Sequence, residues 1–286
     1  MQTTVASFFH QPTSTWSHIA SDPASGEAVI IDPVLDYDHA AGRTSTESAD
    51  ELLEHVVREG LAVTRILETH AHADHLTSAP YLKAQLGAPI GIGQGIREVQ
   101  RTFRPIFDLE PGFATDGSQF DQLFAEGEEF PVGRIKARVI PTPGHTNDSI
   151  TYVVGDAAFI GDTLFAPDYG TARCDFPGGD AGRLHDSIQR LYQLPGGTRL
   201  YLCHDYPPGE RAVVASFTVD EQRNGNIHVR HDTPREEFIR MRTARDRTLD
   251  MPALILPSVQ VNIRAGRLPP AAANGTRYLK IPVDKL

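Results

Sequence analysis

Four side chains able to bind a transition metal fall within six residues, His70-Ala71-His72-Ala73-Asp74-His75, directly after the strand-like run from Val63 to Thr69. Imidazole nitrogen and carboxylate oxygen suit a first-row divalent ion, and one-residue spacers let neighbouring side chains converge on one pocket at a strand end. Three further candidates follow apolar runs: His145 in Pro143-Gly144-His145-Thr146, Asp162 in Ile160-Gly161-Asp162-Thr163, and His204 in Leu202-Cys203-His204-Asp205. A polar loop holding solvated histidines would account for the first group alone and leaves these three recurrences unexplained. The chemistry such a set supports is metal-assisted: a metal hydroxide as nucleophile, or oxidation at an iron with open positions.

To bring these residues together, strands must end on one edge of a sheet. Val5 to Phe9, Trp16 to Ala20 and Ala28 to Ile31 read as strands, with Asp22-Pro23-Ala24-Ser25-Gly26 as the hairpin turn between the last two, so the chain opens as a meander. A polar stretch follows Asp32-Pro33. Ser48-Ala49-Asp50-Glu51 then has capping-box form ahead of Leu52, Leu53, Val56 and Val57, with Gly60 as the stop, and predicts an amphipathic helix.

The ligand loop leads into a predicted helix from about Thr77 to Leu86, closed by Gly87. A short strand at Pro89 to Ile92 and a helix from Ile96 to Phe107 come next, and the Gly-rich stretch from Pro111 to Gly127 has no clear period. Alternation of Ile135, Ala137 and Val139 predicts the strand that delivers His145, and a hairpin at Gly155-Asp156 delivers Asp162. The loop from Thr163 to Gly179 is long enough to be functional. Asp180 caps a helix whose inner face is Leu184, Ile188 and Leu191, and Leu200 to Cys203 is the strand before His204. Val219 to Arg223 and Glu236 to Leu249 read as helices, with Arg240 to Arg247 as a solvated face, and the tail from Pro252 is Pro-rich. We expect one domain over residues 1–286, its core at about 5–205 and a helical C-terminal extension at about 206–286.

Bulk properties exclude several classes. The chain has 286 residues, 40% hydrophobic and 22% charged, enough to bury a full core and too apolar to be disordered. A formal charge of -10 argues against nucleic acid or an anionic membrane as partner, since phosphate surfaces need a basic footprint. Only Cys174 and Cys203 are present, no disulfide framework, and no signal-peptide pattern or long apolar run is seen, so a cytoplasmic location is expected.

The ordered set His70, His72, Asp74, His75, His145, Asp162 and His204 resembles the metallo-β-lactamase superfamily. That resemblance implies an α/β fold, a four-layer αβ/βα sandwich with the metal at one sheet edge. Within the superfamily, Gly170-Thr171-Ala172-Arg173-Cys174-Asp175-Phe176, His204-Asp205-Tyr206 and the stretch from Leu256 to Gly266 look like the persulfide dioxygenases, also called sulfur dioxygenases, in their bacterial β-lactamase-like hydrolase branch.

By that resemblance His70, His145 and Asp162 hold one Fe(II) per chain and form the catalytic centre, while His72, Asp74, His75 and His204 orient ligands and water. The partners implied are glutathione persulfide and O2, the products sulfite and glutathione, and a homodimer is compatible with the family. The alternative is a binuclear zinc thioester or lactone hydrolase of the glyoxalase II type, in which His72, Asp74, His75 and His204 complete two zinc sites around a bridging Asp162. The motif by itself does not choose between them. Arg173 is the expected partner of a glutathione carboxylate, for which a guanidinium fork is well shaped, and Tyr206 the expected hydrogen-bond partner of substrate or a metal-bound oxygen. Cys174, Cys203 and the histidines outside the motifs receive no role.

Overall fold

The computed structural model describes residues 2–285. The first half runs β1 (Thr4–His10), β2 (Thr15–Ser21), β3 (Glu27–Ile31), β4 (Val34–Asp38), β5 (Arg43–Ser45), α1 (Glu47–Arg58), β6 (Ala62–Leu67), β7 (Leu76–Thr77), α2 (Ala79–Leu86), β8 (Ile90–Gly93), α3 (Ile96–Ile106) and β9 (Gln122–Phe124). The second half runs β10 (Glu129–Val132), β11 (Ile135–Pro141), β12 (Ile150–Val154), β13 (Ala157–Phe159), α4 (Ala181–Leu191), β14 (Arg199–Tyr201), β15 (Ser216–Thr218), α5 (Val219–Gly225), α6 (Arg235–Asp246) and α7 (Ile255–Asn262).

Two six-stranded sheets form, in the orders β1-β2-β3-β6-β8-β9 and β10-β11-β12-β13-β14-β15. The opening meander is antiparallel, whereas β3, β6, β8 and β9 pair in parallel, so helices must cross over between them. Because side chains alternate along a strand, β3 feeds two cores. Val29 and Ile31 meet Val139, Tyr152 and Phe159 between the sheets, while Ala28 and Ile30 face outward to Leu52 of α1 and Leu82 of α2. On the opposite side Leu184, Ile188 and Leu191 of α4 and Phe238 of α6 cover Ala158 and Leu200. Each such fully buried Leu or Ile contributes about 2 kcal/mol, so both helical layers are held chiefly by burial. The result is the expected four-layer α/β sandwich.

Several local expectations are corrected. Helix α1 begins at Glu47, with Thr46 as its flanking residue and no side-chain cap. The Ser48 capping box does not form because the Ser48 hydroxyl and N–H both donate to Asp36 of β4, at 2.7 and 2.9 Å. The polar stretch after Pro33 contains β4 and β5, which form a small sheet with β7, and the Pro-rich tail contains α7. The segment after residue 205 supplies the edge strand β15 as well as helices. Arg240 to Arg247 is not simply a solvated face: Arg242 is 1% exposed and paired with Asp246. Among the described residues no helix is long and apolar enough to cross a membrane.

Candidate metal centre

The ligand loop leaves β6 at Leu67, three residues before His70, and is pinned by three side chains. Asp32, at the end of β3 with φ +49, accepts from the Thr69 N–H and hydroxyl at 2.7 and 2.8 Å. Asp148 accepts from Ala71 N at 2.8 Å. Asn262, on the last turn of α7, donates to the carbonyls of His72 and His75 at 2.8 Å each and accepts from Thr77 N at 3.0 Å. Buried backbone groups of such a loop need partners, and these three side chains supply them to Thr69 N, Ala71 N, Thr77 N and the carbonyls of His72 and His75.

The remaining ligand segments are set by close packing. Gly144 has φ +143, and a Cβ there would lie 2.3 Å from the backbone of Leu184, so α4 seats directly on the turn before His145. Asp180 caps α4 by accepting from Arg183 N, as expected. Gly161, at φ +51, lets the short turn bearing Asp162 approach Thr69, whose hydroxyl would be 2.7 Å from a Cβ.

All seven sequence-predicted ligands arrive at one edge, and six of them fall into two groups of three. His70, His145 and Asp162 place donor atoms within 4.8 Å of one another. His70 Nε2 lies 3.9 Å and His145 Nε2 3.6 Å from Asp162 Oδ2. His145 Nδ1 donates to the Arg173 carbonyl at 2.7 Å, which turns Nε2 and its lone pair inward. Asp74, His75 and His204 form the second group, with His204 Nε2 3.1 Å from Asp74 Oδ2 and 3.5 Å from Asp162 Oδ1. His72 joins neither. Its Nε2 lies 3.0 Å from Asp32 and 3.4 Å from Glu68, and its Nδ1 is 3.9 Å from Cys203 Sγ.

The electrostatics fit a cation. Burial first, and neighbouring imidazoles second, hold His70 well below the usual imidazole range, and the same two causes bring His75 down to about 3. Both are therefore neutral ligands at neutral pH. Burial also opposes charge on His204, but Asp74 and Asp162 outweigh it and raise the group well above its ordinary value. The same two carboxylates that favour positive charge on His204 would favour a bound cation beside it. His70 Nε2, His75 Nε2, His204 Nε2 and Asp162 Oδ1 are all buried without a hydrogen-bond partner, an arrangement that is costly without an ion.

A cavity of about 280 Å³ opens onto this edge, lined by Asp74, His145 and Asp162 together with Phe165, Tyr169, Phe176 and Tyr206. Tyr206 stacks on the His204 ring with an interplanar angle of 10°. Arg173 lines the cavity, but its guanidinium is engaged: it bonds both Asp175 oxygens at 2.6 and 2.8 Å and the Asp250 carbonyl at 2.6 Å. The exposed Arg245 stands at the rim. Asp32, Asn262 and Arg242 are the residues the sequence did not single out. Only Asp32, closing an apolar run before a proline, carried a local sign.

With fold and ligand edge together, the chain belongs to the metallo-β-lactamase superfamily, whose family description matches residues 15–204. It is 52% identical to a probable metallo-hydrolase of Burkholderia pseudomallei (strain 1710b), over 99% of this chain and 100% of that one. It is 30% identical to the mitochondrial persulfide dioxygenase ETHE1 of Mus musculus, over 92% of this chain and 89% of that protein. The crystal structure of ETHE1 from Myxococcus xanthus superposes with a TM-score of 0.73 at 31% identity, covering 92% of this chain and 100% of that one.

Proposed function

We propose that this chain is a non-haem iron persulfide dioxygenase, converting glutathione persulfide, O2 and water to glutathione and sulfite. The observation that carries the reading is the separation of His72 from the cluster of His70, His145 and Asp162. Asp32 and Glu68 take its Nε2, and its Nδ1 lies toward Cys203. What remains is two imidazoles and one carboxylate, the donor set that suits Fe(II) with further positions open. Held there, iron would supply the redox chemistry through which O2 reacts with a sulfur donor. Similarity to a persulfide dioxygenase over 92% of the chain supports the same reading.

The chain's own residues bind, orient and exclude. Phe165, Tyr169 and Phe176 wall a cavity of about 280 Å³, small enough to limit bulk water around a bound sulfur. Burial and the nearby Asp74 and Asp162 keep the Tyr206 hydroxyl protonated, so it is a donor toward an anionic sulfur or oxygen. Arg173 spends its fork on Asp175, so the exposed Arg245 at the rim takes the part of carboxylate partner for the glutathione moiety.

A second reading, the binuclear hydrolase, is favoured by the cluster of Asp74, His75 and His204 beside the first. Oxygen uptake decides between them. Adding glutathione persulfide in air is expected to consume O2 and form sulfite, with no thioester cleavage under argon. Anaerobic cleavage of a glutathione thioester, with no O2 uptake from the persulfide, would establish the hydrolase instead.

A further inference from the structure

The proposed reaction leaves one thiol at the ligand edge unused. Cys203 is 2% exposed, and its Sγ lies 3.9 Å from His72 Nδ1. Donor atoms of His72, His75 and Cys203 all fall within 4.8 Å of one another, and Cys203 is equally close to donors of Asp162 and His204. His75 Nδ1 faces the Leu76 carbonyl at 3.3 Å, which places the ring proton there. Its Nε2 is fully buried and has no partner. His72 Nε2 is held by Asp32 at 3.0 Å, the carboxylate support usual behind a metal-binding imidazole, so Nδ1 is the nitrogen offered to an ion.

We propose that His72, His75 and Cys203 form a soft-metal site for a thiophilic divalent cation such as Zn2+ or Cd2+, separate from the cluster of His70, His145 and Asp162. The distances allow it: bonds of about 2.3 Å to sulfur and about 2.0 Å to nitrogen together exceed the 3.9 Å between Sγ and Nδ1, so one ion reaches both. A thiolate with two imidazoles selects soft or borderline cations, whereas two imidazoles and a carboxylate favour a harder one. Binding forms an S–metal bond as the thiol proton leaves to solvent, and the two imidazoles bind through their nitrogen lone pairs. His75 also belongs to the group with Asp74 and His204, so a cation held by Cys203 and one held by Asp74 exclude each other. The site rests on the proposed mononuclear reading of His70, His145 and Asp162, because a binuclear zinc centre would take His72 and His75 for its own ions.

The test is Co2+ titration of the full-length protein, stripped of metal, with absorption read for the thiolate-to-cobalt charge-transfer band. Since Cys174 and Cys203 are the only thiols, Cys174→Ser leaves Cys203 as the sole source of that band. The band is expected in the unmodified chain and in Cys174→Ser, and lost in Cys203→Ser while weaker ligand-field absorption from the other donors remains. Cobalt bound without the band, or a band that survives Cys203→Ser, would overturn the proposal. If Cys203→Ser does not fold, His72→Gln in the Cys174→Ser background decides: loss of the band supports the site, and an unchanged band, which Asp162 and His204 could sustain with Cys203, overturns it.

Discussion

The Arg173 carbonyl accepts the Nδ1 proton of His145 at 2.7 Å, so a backbone oxygen links this loop to the ligand set. That carbonyl is held in turn by α6. Arg242 donates to the Thr171 carbonyl at 3.0 Å, and Asp246 accepts from Cys174 N at 2.9 Å while pairing with Arg242.

Breaking this buried pair leaves an uncompensated charge beneath the loop. Asp246→Ala should lower unfolding free energy by about 3 kcal/mol, measured in denaturant, and reduce metal retention through His145. Unchanged stability would show that α6 does not brace the loop.

Asn262 fixes the ligand loop from the far end of the chain. Asn262→Ala strips the carbonyls of His72 and His75 of a buried donor and should cost about 2 kcal/mol, with bound metal falling while far-ultraviolet dichroism is kept. A variant that holds metal as well as the parent would contradict this.

His18, which is not among the proposed ligands, gives the stability a pH dependence of its own. Burial brings its pKa down from 6.5 to about 4, and its Nε2 donates to the Leu202 carbonyl at 2.8 Å. The folded state therefore resists protonation that the unfolded chain accepts. Stability from this group is complete above pH 6.5 and is lost as pH falls from there toward 4, by about 3 kcal/mol. His18→Gln should flatten the profile in that window, and an unaltered slope would remove His18 from the account.

His72 and Asp162 should respond oppositely to substitution. Asp162→Ala is expected to lose bound iron, whereas His72→Gln is expected to keep it, since His72 stands outside the first cluster. Elemental analysis of the two variants reads this directly, and equal loss from both would place His72 among the ligands.

The ligands were legible because each closes an apolar run, and a strand end is where a sheet can converge side chains from distant segments. The continuous apolar run from Ala28 to Ile31 likewise read as a strand, and it is apolar throughout because one residue in two faces each core. What supports the ligands was not legible. The Ser48 box reads as a cap until Asp36 captures its hydroxyl. Arg242 reads as one more arginine on a charged helix because its acceptor, Thr171, lies 71 residues away. Asn262 offers no local sign at all, since its partners are carbonyls 190 and 187 residues earlier. Such contacts are made by tertiary packing, which local pattern does not encode.

Metal identity and count, measured on protein purified without added metal, separate a mononuclear iron centre from a binuclear zinc one. Two imidazoles and one carboxylate around a single ion predict about one iron per chain. About two zinc ions per chain, shared across Asp162, would contradict it.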